Sequence, residues 1–239
     1  MDATWGPYLD PHLCQSHLRI DFSFTASALT VDGIYRQLME SKVRLVVMAS
    51  GSGTNLQALI DAIATGSLDG EILAVVSDRA EAYALTRAHT AGISAHHLLL
   101  DAGEQRLHYD RRLAQLVAGH HPDLVILAGW MRLLSMEFLR HFPERVLNIH
   151  PALPTEFPGT NAIERAWEEH LCGNRDHSGV MIHLVPDEGV DDGPVLATTT
   201  VPILDGDDFA SFAARMHAAE HALLPVTIAR YRPPSRSSA

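Results

Sequence analysis

The sequence predicts an α/β fold: a doubly wound, mostly parallel open sheet with helices on both faces and an antiparallel edge near the C-terminus. From Val43 onward, short runs rich in β-branched residues alternate with stretches of helical periodicity. That alternation is typical of βαβ units, which build parallel sheets. A glycine-rich loop directly follows the first apolar run, where open α/β sheets bind ligands. Two later strand patterns are joined by an acidic turn instead of a helix, and they predict the antiparallel edge.

The parallel part contains four predicted strands and four predicted helices. The strands are Val43–Ala49, Glu71–Ser77, Leu124–Ala128 and Val146–His150. The helices are Asn55–Ala64, Ala80–Ala91, Glu104–Gly119 and Ser135–Arg140. Parallel strands are usually covered on both faces, so we expect these helices to divide between the two sides of the sheet.

The later part of the chain changes character. Gly179–Val185 and Pro194–Pro202 have strand patterns, and an amphipathic helix follows from about Asp207 to Arg230. Residues 1–41 show no clear periodicity and are interpreted as an N-terminal extension of unknown role. Residues 42–231 are interpreted as one domain, and the Pro/Ser/Arg-rich residues 232–239 as a disordered tail.

Composition limits the classes of function. The net charge of -11 argues against a broad nucleic-acid surface, although a local nest of backbone N–H groups can still bind a small anion. Two cysteines are too few for a disulfide framework. No run approaches the roughly 18 apolar residues of a membrane span, and the start of the chain lacks a signal-peptide pattern. We therefore expect a cytoplasmic protein with no membrane or nucleic-acid partner.

The glycine loop is the first candidate binding element. Gly51, Ser52, Gly53, Thr54 and Asn55 connect the first strand to a helix, so free N–H groups and the positive end of the helix dipole meet there. A phosphate is the expected ligand. A dinucleotide fingerprint would need a third glycine where this chain has Leu56, and a Walker loop would need Gly-Lys-Ser/Thr. The alternative is that the glycines only permit a tight turn.

Asn148 and His150 form the second candidate element. Alternate side chains of a strand share a face, so this amide and imidazole lie side by side and can hold one oxygen atom. About forty residues later, the turn Asp187–Pro194 supplies several carboxylates bounded by glycines. If Asp191 approaches His150, the charged imidazole gains a partner. These elements together predict an enzyme, whereas the alternatives are a buried core histidine and a solvated acidic turn.

Metal binding is not expected. The acidic turn does not fit an EF-hand, and no His-Glu-x-x-His sequence occurs. His217 and His221 stand one helical turn apart, which suits either a metal or simple helix packing, and packing is preferred.

Four segments in this order resemble the glycinamide ribonucleotide formyltransferase family over about residues 43–230. The segments are Ala49–Ala58, Leu127–Leu134, Leu147–Leu153 and Asp187–Pro194. The resemblance implies that residues 42–231 are a catalytic domain. It also implies transfer of a formyl group from 10-formyltetrahydrofolate, as co-substrate, to the amine of glycinamide ribonucleotide in purine synthesis. Neither a metal nor a covalent enzyme intermediate is implied, and a monomer or a homodimer is expected.

The resemblance also implies roles for individual residues. The catalytic trio is Asn148, His150 and Asp191. The residues expected to bind the substrate phosphate are Gly53, Thr54 and Asn55, and Glu220 is expected to bind the ribose. The residues expected to bind the folate are Arg106, Met131, Arg132, Leu133, Leu134, Asp187, Glu188, Gly189 and Val190. His183 is expected either to support the trio or to be a core histidine, and Asn161 is expected to lie close to the trio.

The chain departs from the family pattern after His150. Pro154 is shifted by one position, and Asn161 stands where the family often has a histidine. Three alternatives stay open from the sequence. Methionyl-tRNA formyltransferase usually carries a C-terminal RNA-binding domain, and formyltetrahydrofolate hydrolase would give the phosphate loop no purpose. A folate- or phosphate-binding module without turnover is the third.

Overall fold

The structure, a computed structural model, describes residues 42–233. The predictions for the extension 1–41 and for nearly all of the tail lie outside the described residues. The described part contains one seven-stranded sheet, whose strands are β1 (Val43–Met48), β2 (Gly70–Ser77), β3 (Ser94–His97), β4 (Leu124–Leu127), β5 (Val146–His150), β6 (His177–Leu184) and β7 (Val195–Pro202). Neighbouring strands follow the order β3-β2-β1-β4-β5-β6-β7.

Strands β1 to β5 pair in parallel, whereas β6 runs antiparallel to β5 and β7 antiparallel to β6. The described helices are α1 (Thr54–Ala64), α2 (Tyr83–Thr90), α3 (Arg106–Gly119), α4 (Met136–Leu139), α5 (Ala162–Leu171) and α6 (Phe209–Arg230). The predicted doubly wound sheet with an antiparallel edge is therefore confirmed.

Two hydrophobic cores lie on opposite faces of the sheet because successive side chains of a strand alternate in direction. Leu45 and Val47 of β1 point to the core that holds α1, α2, α5 and α6. Val46 and Met48 point to the core that holds α3 and α4. All four side chains are fully buried, so β1 is covered on both faces of the sheet.

The order in which the chain adds strands to the sheet changes side between β1 and β4. Strands β2 and β3 lie on one side of β1, and β4 to β7 lie on the other. In open α/β sheets such a switch point leaves a crevice at the carboxyl ends of the strands. The amide of Ser50, after β1, donates to the carbonyl of Gly129, after β4, at 3.0 Å. This bond ties together the two loops that border the crevice.

Two elements were missed by the sequence prediction. Strand β3 is four residues long and has no β-branched residue, so it gives little strand signal. Helix α5 starts after Asn161, which has a left-handed φ of 58°, and buries Ala162, Ile163 and Ala166. Other errors are at element ends; the helix predicted from Ala80 begins at Tyr83.

No helix within residues 42–233 is both long and apolar enough to cross a membrane.

The turn from β1 into α1 depends on Gly53. Its φ of 69° is left-handed, and a Cβ atom there would lie 2.8 Å from both Cα and Cβ of Ala84 in α2. Gly66 has a similar φ of 76°, but a Cβ atom there would meet nothing within 4 Å. Glycine is therefore favoured at position 53 for two reasons, the left-handed backbone and the close packing against α2. At position 66 only the left-handed backbone favours glycine.

We predict that Gly53→Ala lowers the free energy of unfolding by about 3 kcal/mol, because backbone strain and overpacking add. Gly66→Ala, the matched control, is expected to cost about 1 kcal/mol from backbone strain alone. Urea denaturation of both variants measures the difference. Equal losses at the two positions would contradict the packing part of this account.

Candidate functional site

A cavity of about 500 Å³ lies at the switch point. It is bordered by the glycine loop, the segment after β4, the end of β5, the start of α5 and the acidic turn after β6, with part of α6 closing one side. With the exception of Arg106, every site residue predicted from the sequence lines this cavity. The sheet topology thus brings four separate motifs to one place.

Asp191 is the centre of the polar group in this cavity. Its Oδ1 accepts a hydrogen bond from Asn148 Nδ2 at 2.9 Å, and its Oδ2 accepts one from the Gly159 amide at 2.8 Å. The same Oδ2 lies 3.3 Å from His150 Nδ1. Asp191 adopts a left-handed φ of 55°, which aspartate tolerates better than most residues. One carboxylate therefore joins strand β5 to two loops.

His150 is almost fully buried, with 4% of its surface exposed. Its Nδ1 faces Asp191, and its Nε2 lies 3.0 Å from the carbonyl oxygen of Phe157. Both ring nitrogens face oxygen acceptors, so the doubly protonated imidazolium satisfies both contacts. Burial nevertheless lowers the pKa of His150, against the opposing attraction of Asp191 and of the Phe157 carbonyl.

His183 supports this group from the neighbouring strand, opposite Asn148 in the β5–β6 register. Its Nδ1 donates to the carbonyl of Leu184 at 2.8 Å, while its Nε2 lies 3.1 Å from Asn148 Nδ2 and 3.4 Å from Asp191 Oδ1. Nε2 therefore accepts from the amide when His183 is neutral and donates to the carboxylate when it is charged.

The pKa of Asp191 is lowered from its ordinary value. Burial alone would raise that pKa, but the hydrogen bonds from His183 and from the Gly159 amide and the nearby His150 ring outweigh burial. The carboxylate therefore stays ionised at neutral pH, and it keeps a negative charge beside His150.

The glycine loop presents the amino end of α1 to the cavity. Gly53 occupies the N-cap position without any side-chain cap, and the first N–H groups of a helix have no intrahelical acceptor. Arg87 of α2 braces the loop from behind, because its Nε donates to the Ser52 carbonyl at 2.9 Å. The arrangement suits a small anion such as a phosphate.

Glu220 and His217 of α6 stand beside this helix end. Glu220 is buried, and its Oε1 lies 3.4 Å from Asn55 Nδ2, while its Oε2 contacts His217 Nδ1 at 2.8 Å. The hydrogen bond to Glu220 raises the pKa of His217. The sequence analysis did not place His217 in the site. Its spacing of three residues before Glu220 was the available signal, since i and i+3 share a helix face.

His221 stands one helical turn after His217 on α6. Its Nε2 is buried without a hydrogen-bond partner, and burial lowers its pKa. Within residues 42–233, no group of three or more His, Cys, Asp or Glu side chains is arranged to hold a metal ion.

The opposite wall of the cavity is more apolar. Met131, Leu133 and Val190 are 54%, 53% and 39% exposed, although they are large hydrophobic residues, whereas Leu134 is buried in the core. Exposed apolar side chains around one cavity indicate a ligand with an apolar surface. Arg132 also lines this wall, and its Nε donates to Asp78 at 2.8 Å.

The acidic turn is held in place by its own hydrogen bonds. The Gly189 amide donates to Asp187 Oδ1 at 2.9 Å. Glu188 accepts from the Met136 amide at 3.1 Å and from Arg106 Nη2 at 3.2 Å. Arg106, predicted to contact the folate, does not line the cavity and instead pairs with Glu188 and, at 3.6 Å, with Asp110.

The contacts that the segment between β5 and α5 makes with the trio were not predicted from the sequence. Its Phe157 carbonyl and Gly159 amide contact His150 and Asp191 directly. The adjacent Pro158-Gly159 pair was the available signal, because such pairs mark turns. Asn161, at the N-cap of α5, lines the cavity with its left-handed φ of 58°.

Comparison with known proteins assigns this architecture to a family. Residues 43–228 match the model of the family described as "Formyl transferase". The chain is 42% identical over 186 residues to phosphoribosylglycinamide formyltransferase of Escherichia coli (strain K12), covering 78% of this chain and 85% of that protein. It is 44% identical over 192 residues to the Schizosaccharomyces pombe enzyme of the same name, covering 75% and 92%.

A solved structure agrees with this assignment. The crystal structure of glycinamide ribonucleotide transformylase 1 from Symbiobacterium toebii superimposes with a TM-score of 0.73 at 41% sequence identity. The match covers 79% of this chain and 86% of that one.

We predict that Asp191→Asn lowers the pKa of His150 below its wild-type value. Burial already holds the pKa of His150 below the ordinary value, and loss of the carboxylate removes the main opposing attraction. An NMR titration of the His150 ring measures the change. Asp192→Asn, at the exposed neighbouring position, is the control and should leave this pKa unchanged. An unchanged or higher pKa in Asp191→Asn would contradict the assigned pairing.

Proposed function

The chain belongs to the formyl transferase family, and on that premise we propose that it transfers the formyl group of 10-formyltetrahydrofolate to the amine of glycinamide ribonucleotide, a step in purine biosynthesis. One observation carries the proposal. The Asn148, His150 and Asp191 group lies in one cavity between an anion-binding helix end and an apolar wall. A phosphorylated acceptor and an aromatic donor would therefore meet at these three side chains.

The chemistry needs no covalent enzyme intermediate. The acceptor amine attacks the formyl carbon, and a carbon–nitrogen bond forms while the carbonyl oxygen becomes an oxyanion. Asn148 and the protonated His150 donate hydrogen bonds to that oxyanion, which stabilises the transition state. The bond from the formyl carbon to the folate nitrogen then breaks. The proton lost by the amine passes to that nitrogen, directly or through water, with Asp191 assisting.

The ionised Asp191 has a second task in this scheme. It keeps the charged form of a deeply buried imidazole accessible, and the lowered pKa of Asp191 maintains that negative charge. His183 and the Gly159 amide hold the carboxylate in place. We therefore assign Asp191 to electrostatic support and proton movement, and His183 to positioning.

The acceptor occupies the side of the cavity bordered by α1 and α6. Backbone N–H groups of Gly53, Thr54 and Asn55 bind the phosphate at the amino end of α1. Glu220 accepts hydrogen bonds from the ribose hydroxyls. His217, whose raised pKa favours its charged form and whose side chain is half-exposed beside Glu220, adds positive charge near the phosphate.

The donor occupies the apolar side. Met131, Leu133 and Val190 supply surface for the pterin ring, and backbone groups of the turn Asp187–Val190 bind its polar edge. Arg132 is held by Asp78, and Leu134 fixes the base of this wall in the core. Arg106 lies at the outer side of the acidic turn, where it can exchange Glu188 for the glutamate carboxylate of the folate.

The oxyanion and the Phe157 carbonyl compete for His150. Nδ1 is engaged by Asp191, so the Nε2 proton is the one available to the reacting oxygen. That proton points to the Phe157 carbonyl in the structure, so the oxyanion must either share the proton with this carbonyl or displace the carbonyl from it.

A cytoplasmic location and a monomeric or homodimeric state remain predictions of this proposal.

Formyl transfer measured by folate absorbance, with and without glycinamide ribonucleotide, tests the function. We expect folate turnover only when the ribonucleotide is present, because the amine is the nucleophile. Turnover without it would identify a formyltetrahydrofolate hydrolase. Tight folate binding without any turnover would identify a binding module or a different acceptor, and would contradict the proposal.

We predict that His150→Ala lowers kcat by about 100- to 1,000-fold, which is the usual cost of one lost oxyanion donor. The Kd values of both substrates should change little, because His150 acts mainly in the transition state. Steady-state kinetics combined with calorimetric binding separates the two effects. His89→Ala, at an exposed position of α2, is the control. Near-normal kcat in His150→Ala would refute the assigned role.

A further inference from the structure

The segment from Thr155 to Asn161 has an unusual backbone. Three of its non-glycine residues have left-handed φ values: Thr155 at 71°, Phe157 at 46° and Asn161 at 58°. Bulky and β-branched residues adopt this conformation only when the surrounding structure holds them there. Some contact must therefore compensate for strain at Phe157, an aromatic residue that directly touches the candidate catalytic group.

Phe157 is held through its ring. The guanidinium of Arg175 lies 4.7 Å from the ring centroid, and that of Arg165 lies 5.2 Å from it. The ring also packs against the core that contains α5 and α6. Cation–π contact and packing together fix the side chain, and its backbone carbonyl then points to His150.

Arg175 is the better placed of the two arginines to act as an anchor. Its side chain is only 15% exposed, and it donates to Glu156 at 2.8 Å and to Glu169 of α5 at 3.0 Å. A further bond runs from Arg175 Nη1 to the carbonyl of His177 in β6 at 3.2 Å. Arg175 thus links the strained segment to a helix and to the sheet. Arg165, by contrast, bonds only to backbone carbonyls of the segment itself.

We propose that Arg175 is a positioning residue for the reaction: through Glu156 and the Phe157 ring, it holds the Phe157 carbonyl against Nε2 of His150 and so keeps the imidazole oriented and protonated for the oxyanion. This inference rests on the proposed function. Arg175 itself lies outside the cavity and contacts neither substrate site.

The surroundings of His150 show why one carbonyl matters. Burial lowers the pKa of His150, and the nearby His183 ring lowers it further. The charge of Asp191 and hydrogen bonds to the backbone of Phe157 and of Glu156 raise that pKa. Two of the three supporting contacts therefore come from the segment that Arg175 anchors. If these carbonyls move away, the charged imidazole loses acceptors and the pKa of His150 falls.

Other charged groups around Arg175 do not reach His150. Asp176 is the next residue and pairs with His177 at 2.6 Å on the exposed side. His170 of α5 donates through Nδ1 to the backbone carbonyl of Arg175 at 2.8 Å. These contacts fix the backbone at Arg175, while its side chain reaches the segment of Phe157.

The test compares Arg175→Ala with Arg175→Lys in the full-length chain. We expect Arg175→Ala to shift the alkaline limb of the kcat–pH profile down by about one unit, the typical effect of losing a hydrogen bond to a charged group. KM for glycinamide ribonucleotide should stay within about twofold, because neither substrate site is touched. Arg175→Lys keeps the charge and should restore part of the shift.

Arg215→Ala is the matched control. Arg175 makes one bond to each of two glutamates, and Arg215 makes two bonds to Asp207, at 2.7 and 2.8 Å, away from the Phe157 segment. Its loss should lower stability without moving the kcat–pH profile. If Arg175→Ala does not fold, Glu156→Gln removes one ion pair while preserving side-chain size, and it should give a smaller shift in the same direction.

Direct NMR titration of His150 in the same variants separates this inference from the proposed function, because it needs no turnover. A lower pKa of His150 in Arg175→Ala supports the positioning role even if no formyl transfer is found. Reduced stability with an unshifted pKa of His150 would show that Arg175 is merely structural. A rise in kcat would show that the Phe157 carbonyl inhibits His150, and it would overturn the proposal.

Discussion

The candidate site depends on one buried carboxylate. Asp191 contacts Asn148, His150, His183 and the Gly159 amide within hydrogen-bond or ion-pair distance. A buried charge is costly unless its lone pairs are satisfied, and here each oxygen has more than one partner. The same contacts define where the amide and the imidazole lie relative to each other. The geometry of the trio and the stability of the charge are therefore a single property of the fold.

The sheet topology provides these partners. Parallel strands bring the loops after β1, β4 and β5 to the same edge, and the antiparallel β6 returns the chain so that His183 faces Asn148. The acidic turn leaves β6 beside the amino end of β5, where Leu184 pairs with Leu147, and Asp191 in that turn contacts Asn148 and His150. The contacts of Asp191 thus come from β5, from β6 and from the loop before α5.

The alternation of strand and helix patterns predicted the doubly wound sheet, and the two strand patterns joined by the acidic turn predicted its antiparallel edge. Period-two spacing correctly placed Asn148 and His150 together, because it is a local property of a strand. The contacts of Phe157 and His217 could not be predicted in the same way. They depend on tertiary packing: the carbonyl of Phe157 meets His150 only because of left-handed backbone angles, and His217 enters the cavity only because α6 docks beside α1. Strand β3 was missed because edge pairing, and not its composition, makes it a strand.

The bond between Asn55 and Glu220 joins residues 165 positions apart, at opposite ends of the domain sequence. The pocket is therefore closed by α6, the last helix within residues 42–233. Until α6 has left the ribosome and packed onto α1, the helix end at Gly53 faces solvent and the buried position of Glu220 does not exist. A chain that lacks α6 therefore lacks the side of the cavity that His217 and Glu220 border.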